Sequence, residues 1–570
     1  MDKMKISFVL AFLMALISCA NAGDSGDSPE WKSYSGDPVI EEKVDSVLNL
    51  MTLEEKIGQM NQYSGNFSIT GEVADTKAGE YLKKGMIGST FNIFGAEKIR
   101  SKQEQNLKHS RLNIPMLFAA DVIHGLETTF PIPMAEACSW DLELMERSAR
   151  IAAEEATASG IAWNFAPMID ISRDPRWGRV MEGAGEDPFL GSQVARARVR
   201  GFQGIEDYND LSMINTMMAT SKHFVGYGAA QAGRDYHTVD MSERRLHEIF
   251  FPPFEATVDE GVTSIMTAFN TLNGVPCTGN EYLFQDILRD QWGFGGMALT
   301  DYTAIMEMIP HGYARDLKHA AELSIDAGID MDMISEGFVT HLKELVEEGK
   351  VTEQQIDVAV SRVLEMKFLL GLFDDPYKYC DAERQEEVVM SPEHLKAARE
   401  TAQRSMVLLK NEDQILPLPK NESKKVALIG PFVKERESLN GEWAIIGDRS
   451  KSVNLMEGIQ EKYADSNVEF TYAQGTTLPV IDRSTQHVSE TNVPDRSGFA
   501  EAIEVAENSD VIWVAMGEKY HWSGEAASRT DITLPGNQRA LLKELKKTGK
   551  PIVLMPSLKP GIRGPWQVMP

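Results

Sequence analysis

The chain has 570 residues, 42% hydrophobic and 25% charged, an ordinary globular balance at a length too great for one core. Acidic residues outnumber basic ones 85 to 57, a formal charge of −28 that argues against nucleic acid as a partner and suits a neutral substrate. Beyond Cys19 only Cys138, Cys277 and Cys380 occur, without zinc-like spacing and too few for a disulfide framework, so they read as small buried residues.

The first segment reads as a leader. Lys3 and Lys5 precede an apolar run from Ile6 to Ile17, and small residues follow through Ala20-Asn21-Ala22. This is the pattern of a signal peptide over residues 1–22, cleaved before Gly23. Leu16-Ile17-Ser18-Cys19 supports a second reading, a lipoprotein signal ending before Cys19 with a lipid anchor on that cysteine. The run is shorter than the about 20 apolar residues that span a bilayer, so export without a membrane span is expected.

From residue 40 to 375 short apolar runs alternate with amphipathic stretches. The runs are Gly85–Gly88, Ile114–Ala120, Ile161–Ile171, Met218–Phe224, Val262–Phe269, Gly296–Thr300 and Gly328–Met333. Helical patterns over Asp141–Ser159, Ser242–Glu260 and Ile305–Ala327 lie between them. Such alternation predicts an α/β fold with a parallel sheet closed as a (β/α)8 TIM-like barrel. Nearly every run ends in polar groups: Asp121, Asp170, Lys222-His223, Asn270 and Asp301. Residues just past the carboxyl ends of such strands build active sites.

A linker is expected at 376–393, which is turn-rich and charged. Residues 394–570 then read as a second unit: a helix near His394–Lys410 and runs at Val426–Pro431, Val468–Tyr472, Val511–Gly517 and Ile552–Met555. That pattern predicts an open α/β sandwich. Pro556–Pro565 is dense in breakers, so the sandwich is expected to be incomplete, as in a truncated or frameshifted gene.

Five segments could carry chemistry: Asp121–Gly125; Arg173–Arg179 with Gly185–Pro188; Lys222-His223-Phe224 with Gly233–His237; Met266–Asn270; and Ala298–Tyr302. Singly, each has a bland reading, since a carboxylate at a strand end is often a helix cap. Their placement after successive strands of one barrel favours a shared site.

These segments resemble glycoside hydrolase family 3, and within it the bacterial periplasmic β-glucosidases. The resemblance takes in Met51–Met60, Phe130–Pro133, Leu408–Asn411 and Gly524–Asp531, in consistent order from about residue 40 to 555. It implies a periplasmic, retaining, exo-acting β-glycosidase that removes terminal β-D-glucosyl residues from a β-linked oligosaccharide or glycoside, without metal or cofactor. Retention requires two carboxyl groups about 5–5.5 Å apart, one nucleophilic and one acting as acid then base. The resemblance implies Asp301 as nucleophile and Glu525, on a second-domain loop, as acid/base, with Glu518 as the alternative. It also implies that Asp121, Arg179, Lys222, His223 and Arg234 bind sugar hydroxyls, with Met266, Phe269 and Tyr302 lining the subsite. Lys222 and the arginines would keep Asp301 ionised. Tyr302 stands where many relatives carry tryptophan, and Phe269 where tyrosine is common. Two other readings are a sugar-binding fragment with impaired catalysis, and a β-N-acetylglucosaminidase that takes its acid/base from Asp235 and His237.

Overall fold

The computed structural model describes residues 31–65, 77–204, 210–479, 481–482, 487–488 and 495–557. The expected leader, with Cys19, and the breaker-rich segment from Leu558 onward lie outside the described residues.

Eight parallel strands form the first part: β1 Asn61–Ser64, β2 Ser89–Phe91, β3 Leu117–Ala120, β4 Trp163–Asn164, β5 Thr220–Phe224, β6 Ser264–Thr267, β7 Met297–Leu299 and β8 Asp332–Met333. Ladders join β8-β1-β2-β3-β4 and β5-β6-β7. Parallel bridges Trp163↔Met218 and Leu299↔Met331 link the two groups and close the ring. The expected barrel is therefore present, with its strands in chain order around the axis.

Sequence and structure differ at two of these strands. The run Gly85–Gly88 is a turn, and β2 starts one residue later at Ser89. β1 had no apolar signature because its residues are Asn, Gln, Tyr and Ser. It is buried through hydrogen bonds: Asn61 donates to the Ile57 carbonyl and Gln62 to Ser89 Oγ at 2.8 Å. Amide nitrogens paired in this way can occupy a core.

The second part is a four-stranded parallel sheet in the order β10-β9-β11-β12, with β9 Lys424–Ile429, β10 Val468–Ala473, β11 Val511–Gly517 and β12 Ile552–Ser557. Alternation along β9 serves both faces. Ala427 and Ile429 pack with the helices Phe499–Glu507 and Gln538–Lys546, while Val426 and Leu428 pack with Ile459 and Trp513. Two-sided burial is the reason these strands read as continuous apolar runs.

The helix Pro392–Arg404, expected to open the second unit, packs on the barrel. Ala397 shares a small core with Phe130 and Ile151, and His394 lies between Glu154 and Glu155 on the helix Leu142–Ala158. Of the three cysteines, Cys277 and Cys380 are buried as expected, whereas Cys138 is exposed.

Candidate active site

Asp301 sits immediately past β7. Its backbone N–H reaches Thr267 Oγ1 at 3.3 Å, and its Oδ1 accepts the Tyr302 N–H at 2.7 Å. These contacts aim Oδ2 toward His223, whose Nε2 lies 3.4 Å away. Lys222 and His223 are neighbours in sequence, yet both serve the site. A register shift in the β5–β6 ladder between Ser221 and Phe224 breaks the usual alternation of side chains. Lys222 Nζ then meets Asp121 Oδ1 at 2.6 Å, and His223 Nδ1 meets Asp170 Oδ2 at 2.8 Å.

Arg179 is buried at 1% exposure and holds Glu182 through two parallel bonds of 2.8 and 3.0 Å. Such a fork fixes the guanidinium plane. Its remaining nitrogen, Nη1, lies 3.6 Å from Glu525 Oε1, which also accepts the Tyr236 hydroxyl at 2.9 Å. Glu525 belongs to the second unit, so the site is built by both parts of the chain.

Two loops of the second unit dock on the barrel mouth. In the first, the Gly524 N–H donates to the Gly178 carbonyl at 2.8 Å and the Arg529 N–H to the Arg176 carbonyl at 2.9 Å. An antiparallel bridge pairs Trp177 with Ser528. The backbones approach so closely that a Cβ at Gly178 would sit 2.1 Å from the Gly524 carbonyl oxygen. In the second, His124 contacts the Glu442 carbonyl at 2.6 Å, and Trp443 enters the barrel's own core at 6% exposure. Trp443 lies 5.5 Å from Lys222 Nζ and 5.8 Å from the Arg179 guanidinium.

Burial dominates the electrostatics. It pushes Asp301 up to about 8, against the pull of Lys222 and Arg179, and the Glu525 carboxylate adds to the rise. The expectation that neighbouring cations hold Asp301 ionised is thus corrected: they oppose desolvation without overcoming it. Burial likewise raises Asp170 to about 7 and drives His223 well below its ordinary value, with Arg179 and Lys222 reinforcing the latter. His223 is therefore a neutral imidazole.

Most expected residues converge here: Asp121, Arg179, Lys222, His223, Asp301 and Glu525. Phe269 is buried against Tyr236, with ring centres 5.1 Å apart, and Tyr302 meets Phe91 edge-on at 6.4 Å. Met266 is a core residue of β6 at 1% exposure. Arg234 departs from expectation: it is exposed, with its Nε–H directed at the Gln231 carbonyl of its own turn at 3.5 Å. Glu518 is buried and ion-paired with Arg529. Asp235 turns its carboxylate to Trp177 Nε1 and the Ala526 N–H, both at 2.7 Å, an arrangement that does not favour a catalytic pairing with His237. Sequence reasoning missed Glu182, whose only signal is its i,i+3 spacing from Arg179. It also missed Trp443, an aromatic in the Asn440-Gly441-Glu442 turn beyond β9.

Comparison with known proteins agrees with this architecture. Residues 52–366 match the glycosyl hydrolase family 3 N-terminal domain and residues 406–569 the C-terminal domain of the same family. The second match runs through the breaker-rich tail and leaves the expected truncation and impairment without support. A periplasmic β-glucosidase from Salmonella typhimurium is 38% identical over 522 residues, 90% of this chain and 67% of its own length. A β-xylosidase from Formosa agariphila is 32% identical over 577 residues, 97% of this chain and 71% of its own. The crystal structure of a β-glucosidase from Listeria innocua in complex with isofagomine aligns with a TM-score of 0.83 at 39% identity, covering 90% of this chain and 69% of that one. No helix among the described residues is long and apolar enough to cross a membrane. The chain belongs to glycosyl hydrolase family 3 and is a β-glycosidase.

Proposed function

We propose that the protein is an exported, retaining, exo-acting β-glucosidase that removes terminal non-reducing β-D-glucosyl residues from oligosaccharides or aryl glycosides. Asp301 attacks the anomeric carbon and forms a glycosyl-enzyme while Glu525 protonates the departing oxygen. Glu525 then takes a proton from water as the ester is cleaved. Asp121, Lys222, Arg179 and His223 hold the sugar hydroxyls, because paired ionic donors and acceptors form short, directional bonds. Phe269 and Tyr302 supply apolar walls, and Met266 supports β6 behind them. Residues 40–375 form the catalytic barrel, 376–393 the linker and 394–570 the unit that carries the acid/base. Residues 1–22 direct export to the periplasm.

The supporting observation is the meeting of two carboxyl groups from different parts of the chain: Asp301 at a strand end, and Glu525 held by Arg179 and Tyr236. The relatives in hand include a periplasmic β-glucosidase and a Listeria innocua enzyme solved with glucose. Hydrolysis of an aryl β-glucoside and of cellobiose, with Asp301→Asn alongside, tests the reading. Cleavage of both substrates by the wild type and of neither by the variant upholds it. Retained activity in Asp301→Asn overturns it.

A further inference from the structure

The turn at Asp235-Tyr236 belongs to the barrel, yet its polar atoms are directed at the loop of the second unit. Asp235 Oδ2 accepts the Ala526 N–H at 2.7 Å, while its own backbone N–H donates to Ser528 Oγ at 2.9 Å. The other oxygen, Oδ1, takes the Trp177 indole N–H at 2.7 Å and the Tyr236 N–H at 3.2 Å. Tyr236 then reaches across with its hydroxyl to Glu525 Oε1 at 2.9 Å. Two residues at this junction, Tyr236 and Ala526, have left-handed backbone, with φ of 62° and 59°. L-residues with side chains adopt that conformation only where the surroundings enforce it.

We propose that Asp235 and Tyr236 are positioning residues for proton transfer: Asp235 fixes the backbone on the C-terminal side of Glu525, and Tyr236 orients its carboxyl group. Glu525 stands on a turn between Gly524 and Ala526. Glu525 Oε1 accepts the Tyr236 hydroxyl at 2.9 Å and lies 3.6 Å from Arg179 Nη1, so two barrel residues set where that oxygen sits. The Asp235 carboxylate, tied to Trp177 on the barrel and Ala526 on the loop, sets the height of that turn above the pocket. The inference rests on Glu525 being the acid/base.

The test compares kcat/KM for two aryl β-glucosides in the full-length chain: dinitrophenyl, whose leaving group needs no proton, and phenyl, whose leaving group does. Glu525→Ala should lose phenyl cleavage by about a hundredfold or more and dinitrophenyl cleavage far less. Tyr236→Phe should lose about tenfold on phenyl and less than about twofold on dinitrophenyl. Asp235→Asn should show the same selectivity. When Tyr236→Phe is combined with Glu525→Ala, it should cost nothing further on phenyl, because the group it orients is gone.

Equal losses on both substrates in Tyr236→Phe and Asp235→Asn, or a full further loss in the double variant, would reduce the pair to a structural role and overturn the inference. If Glu525→Ala itself shows no preference between leaving groups, the acid/base assignment fails first.

Discussion

His223 Nε2 stands 3.4 Å from Asp301 Oδ2, with a neutral ring facing a carboxyl group that burial has pushed up to about 8. Before substrate arrives, the fold favours the protonated, uncharged form of the carboxyl group proposed as nucleophile. Nucleophilic attack requires the ionised form, so the acidic limb of kcat/KM should lie above the usual carboxylate range. A limb in the ordinary range near pH 4 would contradict this.

The same burial makes a prediction about stability. In the unfolded chain this aspartate ionises near its ordinary value of 3.8, whereas in the fold it keeps its proton up to about 8. Between those values the wild type loses stability as pH rises on this account, and an amide would not. Asp301→Asn should abolish hydrolysis yet melt above the wild type, by a margin that widens from pH 4 to pH 8. Thermal melts at several pH values check it; parallel Tm curves would count against it.

His394 has the opposite pH dependence. Burial opposes its charge, but its hydrogen bonds to the Glu154 and Glu155 carboxylates outweigh that penalty and raise it to about 9. A raised histidine stabilises fully below its ordinary value of 6.5, and the contribution disappears as pH rises through about 9. His394→Gln should therefore lower the Tm at pH 6 and approach the wild type by pH 10. A deficit of constant size would show that the contact is not ionic.

Trp443 covers the two cations of the pocket from the second unit. Replacing it with alanine removes its contacts with Lys222 and Arg179 and admits water between them. A loss of about tenfold in kcat/KM is expected, the size of one or two cation–π contacts. Unchanged kinetics in Trp443→Ala would remove Trp443 from the binding surface.

At Gly178 there is no room for a methyl group between two carbonyl oxygens, those of Gly524 and Ala527, at 2.1 and 2.2 Å from an ideal Cβ. Gly178→Ala must lift the Glu525 loop. Displacement of a reacting group by about 1 Å costs about a hundredfold in rate. The loss should fall on unactivated glycosides while sugar binding survives, as monitored by calorimetry with glucose. Full activity would mean that the loop has another stable seat.

The strands buried on both faces were readable in advance. β3, β5, β6, β7, β9 and β11 fall within or beside expected apolar runs, since burial on two sides favours continuous hydrophobicity. β1 was invisible because Asn61 and Gln62 are buried by pairing rather than by apolarity. Within the site, the groups at strand ends were legible: Asp121, Lys222, His223 and Asp301. Position in a barrel motif does not determine side-chain direction, however, and Arg234 turned outward from a segment whose neighbour Asp235 turned inward. Trp443 and Tyr236 act only where distant pieces of chain meet, and such contacts leave no periodic trace in either piece.

The backbone pairing of residues 176–178 with 524–529 has a thermal consequence. The carboxyl group proposed as nucleophile rests on the closed ring of barrel strands, while the proposed acid/base is delivered by a loop of the open sheet. Loosening of that sheet would disconnect proton transfer and withdraw Trp443, while leaving Asp121, Lys222, His223 and Asp301 in place on the barrel. On gentle heating the protein should pass through a state that still grips sugar and no longer turns it over: a glycosidase becomes a lectin before it unfolds.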